Sequence, residues 1–232
     1  MRLSLILPCF NEEQNIEQTV RDVVEWFGRE KIEGEIIVVN DGSVDGTALV
    51  LEQLASRHAN LRIVTHEKNL GYGSAVRSGC DEATMEYVGY MDSDGQFHPE
   101  DLSRLLPLLA ECDFVTGRRL KRADPLIRSL NAKLYGLLVF AILGIWVRDI
   151  NCGKKIWKRE IWPKIRPRYS TGALINGEVF YRLRRHGIRW KQEPVRHFPR
   201  RHGKQTGANI KVIYRMFRDL FALKRACLRE KD

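Results

Sequence analysis

The sequence has no Cys-x-x-Cys pair, and its five cysteines (Cys9, Cys80, Cys112, Cys152 and Cys227) are odd in number and scattered. That excludes a disulfide framework and a zinc knuckle, and predicts reduced thiols in a cytosolic setting. The six histidines show no metal-ligand spacing either. No apolar run reaches the ~20 residues that cross a bilayer as a helix; Leu134–Val147 (LYGLLVFAILGIWV) is free of charge for 14 residues and then stops. The opening RLSLILP is too short for the apolar centre of a signal peptide. A dinucleotide fold would place a glycine-rich turn after its first strand, but PCFNEE stands there, so a nicotinamide cofactor is not expected. Internal repeats and low-complexity segments are absent as well.

The 232 residues present are ordinary for a globular chain in bulk, 44% hydrophobic and 29% charged. Their charge is not evenly spread. Residues 1–116 carry 9 Lys+Arg against 21 Asp+Glu, a net −12, whereas residues 117–232 carry 30 against 8, a net +22. An acidic half suits a cation and a basic half suits a polyanion: nucleic acid, anionic lipid or a phosphorylated substrate.

Apolar runs alternate with helical patterns through the first half. Strands are predicted at Leu3–Leu7, Glu35–Val39, Leu61–Thr65, Tyr87–Met91 and Phe114–Thr116. Between them, helices are predicted over about 12–30 (capped by Asn11), 47–57, 74–83 and 99–109. This alternation predicts an α/β fold with a mostly parallel, doubly wound sheet and helices on both faces. Ligands of such sheets sit beyond the carboxyl ends of the strands. PCFNEE, NDGSVDG, NLGYG and DSDGQ all fall there. Further on, Gly177–Arg185 reads as a helix, Ile188–Phe198 as extended and Asn209–Arg225 as an amphipathic helix. Leu134–Val147, flanked by Lys133 and Arg148, is either a core helix or one lying in a membrane interface.

Asp92 and Asp94 lie two apart where the fourth strand ends, so their carboxylates point the same way. Two hard oxygens aimed at one spot suit Mg²⁺ or Mn²⁺, and Gln96 adds a neutral oxygen. Asp41 ends the second strand, where a carboxylate can accept from a base N–H or a ribose hydroxyl. The other reading there is an Asx-turn, which Asp45 before Gly46–Thr47 fits better. Gly71 and Gly73 allow close backbone approach at a helix start, where anions are favoured.

PCFNEEQNI, VNDGSVDGT, NLGYGSAVRSG, MDSDGQFHPED, TGRR and DINCGKKIWKRE occur in the order found in family 2 glycosyltransferases. The chain resembles their dolichol-phosphate mannosyltransferase and polyprenyl-phosphate glycosyltransferase branch, specifically over residues 5–119 and more loosely afterwards. The resemblance implies a GT-A fold and inverting transfer from a GDP- or UDP-linked sugar to a polyprenyl (dolichyl or undecaprenyl) phosphate at the cytosolic membrane face. Residues 1–117 would be the nucleotide-sugar-binding half and 118–232 the acceptor- and membrane-facing half of one continuous catalytic domain. Carried over residue by residue, Pro8, Phe10, Glu12 and Asp41 would cradle base and ribose, with Gly71, Gly73 and Asp92 completing the donor site. Asp92, Asp94 and Gln96 would hold Mg²⁺ or Mn²⁺ against the diphosphate. Arg119 matches the arginine of the family's Gly-Ser-Arg. Asp149 to Lys155 matches its Asp-x-x-x-Gly-aromatic-cation, with Lys154 in place of the aromatic. RRHGKQTG is similar to a late Arg-x-x-Gly-x-Ser segment and brings in Arg200 and Lys204. The implied acceptor-phosphate set is thus Arg119, Asp149, Lys155, Arg200 and Lys204, with Asp94, Arg119 and Lys155 catalytic.

A lipid phosphate is already an oxyanion at neutral pH and needs no proton relay, only positioning and charge. The alternative, transfer to a saccharide hydroxyl in cell-wall or surface polysaccharide synthesis, needs a carboxylate base. Glu178 in INGEVF is the candidate for it; otherwise Glu178 is a first-turn acid favouring the helix dipole. A nucleic-acid module is the remote alternative, and with neither an aromatic ribonucleoprotein box nor a helix-turn-helix signal, nucleic acid is not an expected partner. The protein is expected to be cytoplasmic and peripheral at an anionic membrane surface. Either its own apolar and amphipathic helices or an integral membrane partner subunit would hold it there.

Overall fold

LSLIL and EIIVVN are apolar at consecutive positions rather than alternate ones, which dictates strands buried on both faces. They form the middle of the sheet in the computed structural model, which describes residues 1–120, 126–172, 174–200, 202 and 210–229. The described residues form seven strands: β1 (Arg2–Cys9), β2 (Glu33–Asn40), β3 (Leu61–Thr65), β4 (Tyr87–Met91), β5 (Phe114–Arg119), β6 (Lys154–Lys158) and β7 (Trp190–Val195). Their order across the sheet is β3-β2-β1-β4-β6-β5-β7. The β1–β2, β1–β4, β2–β3 and β5–β7 pairings are parallel, and β6 runs antiparallel to both its neighbours.

Helices cover both faces. On one side α1 (Ile16–Arg29), α2 (Thr47–Arg57) and α4 (Leu102–Leu105) pack on Leu3, Leu5, Leu7, Ile36 and Val38. On the other, α3 (Tyr72–Asp81), α5 (Leu126–Leu143), α6 (Trp162–Ile165), α7 (Ile175–Arg185) and α8 (Ile210–Arg229) pack on Ile6, Ile37, Val39, Val88 and Trp157. α1 buries Ile16, Val20, Val23 and Phe27, the one-sided spacing of an amphipathic helix. The chain thus adopts the doubly wound, mostly parallel arrangement that the alternation predicts. Cys9, Cys80, Cys112 and Cys152 are free and buried.

Three departures have local causes. α1 starts at Ile16, not Glu12, because Asn11 takes a left-handed φ of 54° and ties the β1–α1 loop to the next one. Its N–H donates to Ser43 Oγ at 2.9 Å, and its Oδ1 accepts from the Val44 N–H at 2.9 Å. The helix predicted over 99–109 is broken into α4 between two 3₁₀ turns, with Pro107 in the second. β6 is not among the strands predicted from the sequence, and Lys154 and Lys155 are fully buried within it.

α5 places one side of Leu134–Val147 in the core and leaves apolar side chains exposed on the other. Tyr135, Val139, Ile142 and Leu143 are buried, while Leu134, Leu137 and Phe140 are exposed. The helix stops at Leu143 before Gly144, whose φ is +68°. Trp146, just beyond, is 62% exposed. α8 packs on α5 and buries Leu220 and Leu223; the side chains of residues 210–217, part of its predicted apolar face, lie outside the described residues. Among the described residues no helix is long and apolar enough to cross a membrane.

Candidate active site

The loops after β1, β2, β3 and β4 meet at the carboxyl edge of the sheet. Phe10, just past β1, is 42% exposed, a ring available for stacking. Pro8 is buried, and its carbonyl accepts from Ser93 Oγ at 2.6 Å, so it braces the loop after β4. Glu12 is buried between Asn15, whose Nδ2 donates to Oε2 at 2.7 Å, and Arg200, whose Nη2 lies 2.5 Å from Oε1. Burial pushes the Glu12 carboxyl up, partly offset by those two donors.

Asp41 is committed to its own chain. Its Oδ1 accepts from His66 Nδ1 at 2.7 Å and from the Leu70 N–H at 2.9 Å, and its Oδ2 accepts from the Gly71 N–H at 2.8 Å. Asp45 forms the expected Asx-turn, with Oδ1 accepting from the Thr47 N–H at 3.0 Å. The glycine-rich loop is likewise filled from within. A Cβ on Gly71 would lie 2.8 Å from the Thr171 carbonyl oxygen, and one on Gly73 2.7 Å from that of Gly172. The Ser74 N–H at the start of α3 donates to the Thr171 carbonyl at 3.1 Å. Gly71 and Gly73 therefore admit another stretch of this chain, and the anion cradle expected at this helix start is taken.

The loop after β4 is different. Asp94 lies near enough to Asp92 for its charge to act on that carboxyl. Asp92 is pushed up to about 6, by burial first and next by the negative charge of Asp94; Tyr72, Lys155 and Arg119 pull the other way. Tyr72 Oη donates to Asp92 Oδ1 at 2.8 Å. Asp94 Oδ1 accepts from the Gln96 N–H at 3.1 Å, in a turn that Gly95 permits with a φ of +74°. Gln96 itself is buried, and its Nε2 donates to the Phe198 carbonyl at 3.1 Å while its own carbonyl accepts the Phe198 N–H. It braces the loop against the segment leading to Arg200. Among the described residues no group of three or more His, Cys, Asp or Glu side chains forms a ready-made metal cage.

Of the expected acceptor-phosphate residues, Arg119, Asp149 and Lys155 lie near enough to act on one another. Arg119 and Asp149 pair with each other, Nε to Oδ2 at 2.8 Å and Nη2 to Oδ1 at 2.7 Å, and both are largely buried. Lys155 has no exposed surface; its Nζ donates to the Cys152 carbonyl at 2.6 Å and lies 5.2 Å from the Tyr90 ring centre. Burial pulls its ammonium down to about 8, partly offset by Cys152, Asp92 and Asp149. Arg200 bridges Glu12 and, at 3.5 Å, Asp94. Lys204 lies outside the described residues. Lys154, where the family pattern has an aromatic, turns inward to Asp101 Oδ2 at 2.8 Å and the Phe97 ring at 5.2 Å.

Glu178 is not placed as a base. It is fully buried and accepts from the Arg168 N–H at 2.6 Å, the Ser170 N–H at 2.9 Å and Arg182 Nη2 at 3.0 Å. With its charge spent on a helix neighbour and three loop amides, it clamps residues 168–170 to α7. Residue types and spacing did not single out Tyr72, Gly153, His66 or Asn176. The one available signal was Tyr72 itself, a large polar aromatic between two glycines. Tyr90 Oη donates to Asn176 Oδ1 at 2.6 Å, joining α7 to the same floor.

With this geometry in view, the comparisons with known proteins are specific. The family model described as "Glycosyl transferase family 2" matches residues 4–184. A dodecaprenyl-phosphate galacturonate synthase of Rhizobium johnstonii is 31% identical over 206 residues, which cover 81% of this chain and 61% of that protein. An undecaprenyl-phosphate 4-deoxy-4-formamido-L-arabinose transferase of Proteus mirabilis is 28% identical over 232 residues, covering 98% and 69%. A dolichyl-phosphate beta-glucosyltransferase of Trichomonas vaginalis is 30% identical, covering 68% of this chain and 52% of its own length. The chain thus spans little more than half of the first and third of these relatives. Among solved structures, mannosyl-3-phosphoglycerate synthase of Rubrobacter xylanophilus superposes with a TM-score of 0.73 at 19% identity, over 99% of this chain and 74% of its own. Glucosyl-3-phosphoglycerate synthase of Mycobacterium tuberculosis, complexed with Mn²⁺, UDP and phosphoglyceric acid, gives 0.72 at 21% identity, over 99% and 79%. At such identities the likeness is one of fold, and that fold is GT-A.

Proposed function

The chain belongs to glycosyl transferase family 2, and from that premise we propose that it transfers a sugar, with inversion, from a nucleotide-diphosphate sugar to a polyprenyl or dolichyl phosphate. The observation that carries this reading is the pair Asp92 and Asp94 at the tip of β4, two carboxylates of which Asp92 is raised by burial first and next by the negative charge of Asp94. Such a pair fits Mg²⁺ or Mn²⁺: two hard oxygens with too few further ligands for a closed cage leave the remaining coordination to a ligand and water. When bound there, the ion would offset the charge of the leaving nucleoside diphosphate.

The chain's own residues support the rest. Phe10 offers a stacking face on the donor side. Arg119, held flat by Asp149, keeps a cation beside the carboxylates. A phosphate nucleophile arrives ionised and asks for no base, in keeping with a Glu178 that is spent on a clamp. Transfer to a hydroxyl would have to find its base elsewhere. The basic second half and the exposed Leu134, Leu137, Phe140 and Trp146 suit a peripheral seat on an anionic bilayer, on the cytosolic face where the donor is made available.

The test is conversion of radiolabelled GDP- and UDP-sugars to a lipid-extractable product with Mn²⁺ and a panel of polyprenyl phosphates. Absence of product across the panel sinks the acceptor assignment. Flotation with anionic liposomes, repeated at high salt, tests the seat; a chain that stays at the bottom at low salt points to a partner subunit as the anchor.

A further inference from the structure

Asp92 is held by residues from two distant parts of the chain, and neither belongs to an acidic motif. Tyr72, the first residue of α3, donates its hydroxyl to Asp92 Oδ1 at 2.8 Å. Gly153, from the loop before β6, lies against the other oxygen: a Cβ built there would sit 1.9 Å from Asp92 Oδ2 and 2.3 Å from its Cγ. The Gly153 carbonyl also accepts the Asp92 N–H at 3.1 Å. One carboxylate oxygen is thus fixed by a donor and the other by the absence of a side chain.

We propose that Tyr72 and Gly153 are positioning residues that fix the Asp92 carboxylate for the metal–nucleotide complex, a role that rests on the function proposed above. Tyr72 is itself rigidly carried. Asp41 grips the Gly71 N–H immediately before it, Thr171 caps the Ser74 N–H after it, and its ring stands edge-on to Tyr90 with centres 6.4 Å apart. The glycine-rich loop therefore works as a strut from the acid at the end of β2 to the acid at the end of β4. Gly153 makes the matching link on the acceptor side, because it lies between Asp149, which pairs with Arg119, and the buried Lys155.

The experiment is a Mn²⁺ electron paramagnetic resonance titration of the full chain with UDP and with GDP, alongside melting temperatures, for wild type, Tyr72→Phe and Gly153→Ala. Tyr72→Phe keeps the ring and its packing while removing one hydrogen bond to a charged acceptor, so Mn²⁺–nucleotide affinity should fall about tenfold with little change in melting temperature. Gly153→Ala must turn Asp92 aside and should abolish the nucleotide-dependent Mn²⁺ signal. If Gly153→Ala does not fold, Tyr72→Phe decides alone. Wild-type affinity in a folded Tyr72→Phe overturns the proposal. Absence of nucleotide-dependent Mn²⁺ binding in the wild type overturns instead the functional reading on which it rests.

Discussion

Two acidic loops leave the same edge of the sheet and end in opposite ways. Asp41, after β2, has both oxygens filled by donors from its own chain, two of them backbone N–H groups. Asp92 and Asp94, after β4, lie within reach of each other's charge, and the first is pushed up to about 6, by burial first and next by Asp94. Glu178 and Asp101 belong with Asp41: the former is ringed by loop amides and Arg182, the latter by Lys154 and Arg196. A buried carboxylate that already has its donors holds structure together. A carboxylate raised by burial and by a neighbouring acid is one that a cation would stabilise in its charged form. Sequence motifs mark both kinds alike; only the partners tell them apart.

The sharpest way to break that contrast is Asp94→Ala. It should cost about 10²–10³-fold in Mn²⁺-dependent turnover, with a melting temperature within about 2 °C of wild type. Retained turnover would return Asp94 to the structural class. Glu178→Gln should do the reverse, losing about 3 kcal/mol in denaturant unfolding because it breaks the buried ion pair with Arg182, while kcat per folded molecule stays near wild type. A collapse of kcat in folded Glu178→Gln would instead revive the base, and with it the hydroxyl acceptor.

The Asp92 shift sharpens the comparison through pH. Its folded value of about 6 lies above the ordinary 3.8, so the folded state favours the protonated form. The stability this gives is complete below pH ~4 and is lost as pH rises through ~6. Asp92→Asn should therefore stabilise the metal-free protein by about 1–3 kcal/mol at pH 7.5, with the gain vanishing near pH 4. A gain that persists at pH 4 would assign the effect to packing rather than charge. Smallest of all, Glu17→Ala breaks an exposed α1 pair with Arg21 and should shift stability by less than about 0.5 kcal/mol.

Much of the fold was legible in residue order. β3, β4 and α2 have the predicted bounds, because their apolar runs and turn residues are continuous and locally decisive. β6 was hidden because its two buried lysines, Lys154 and Lys155, find partners, Asp101 and the Cys152 carbonyl among them, that no local pattern announces. The acidic pair was legible from the spacing at a strand end. The glycines of NLGYG were read as space for a ligand, and the space is filled by Thr171 and Gly172, a hundred residues on.

Taken alone, the sequence determined the alternation of strands and helices, the edge on which the polar loops emerge, and the juxtaposition of Asp92 with Asp94. Those depend on the two-residue and 3.6-residue periods of the backbone, which act over a few neighbours. The tertiary structure alone decided which acids are clamps, which lysines are buried in the sheet, and that Tyr72 and Gly153 hold Asp92 from opposite sides. A hydrogen bond or a close contact needs its second atom, and here that atom comes from a part of the chain brought near only by packing.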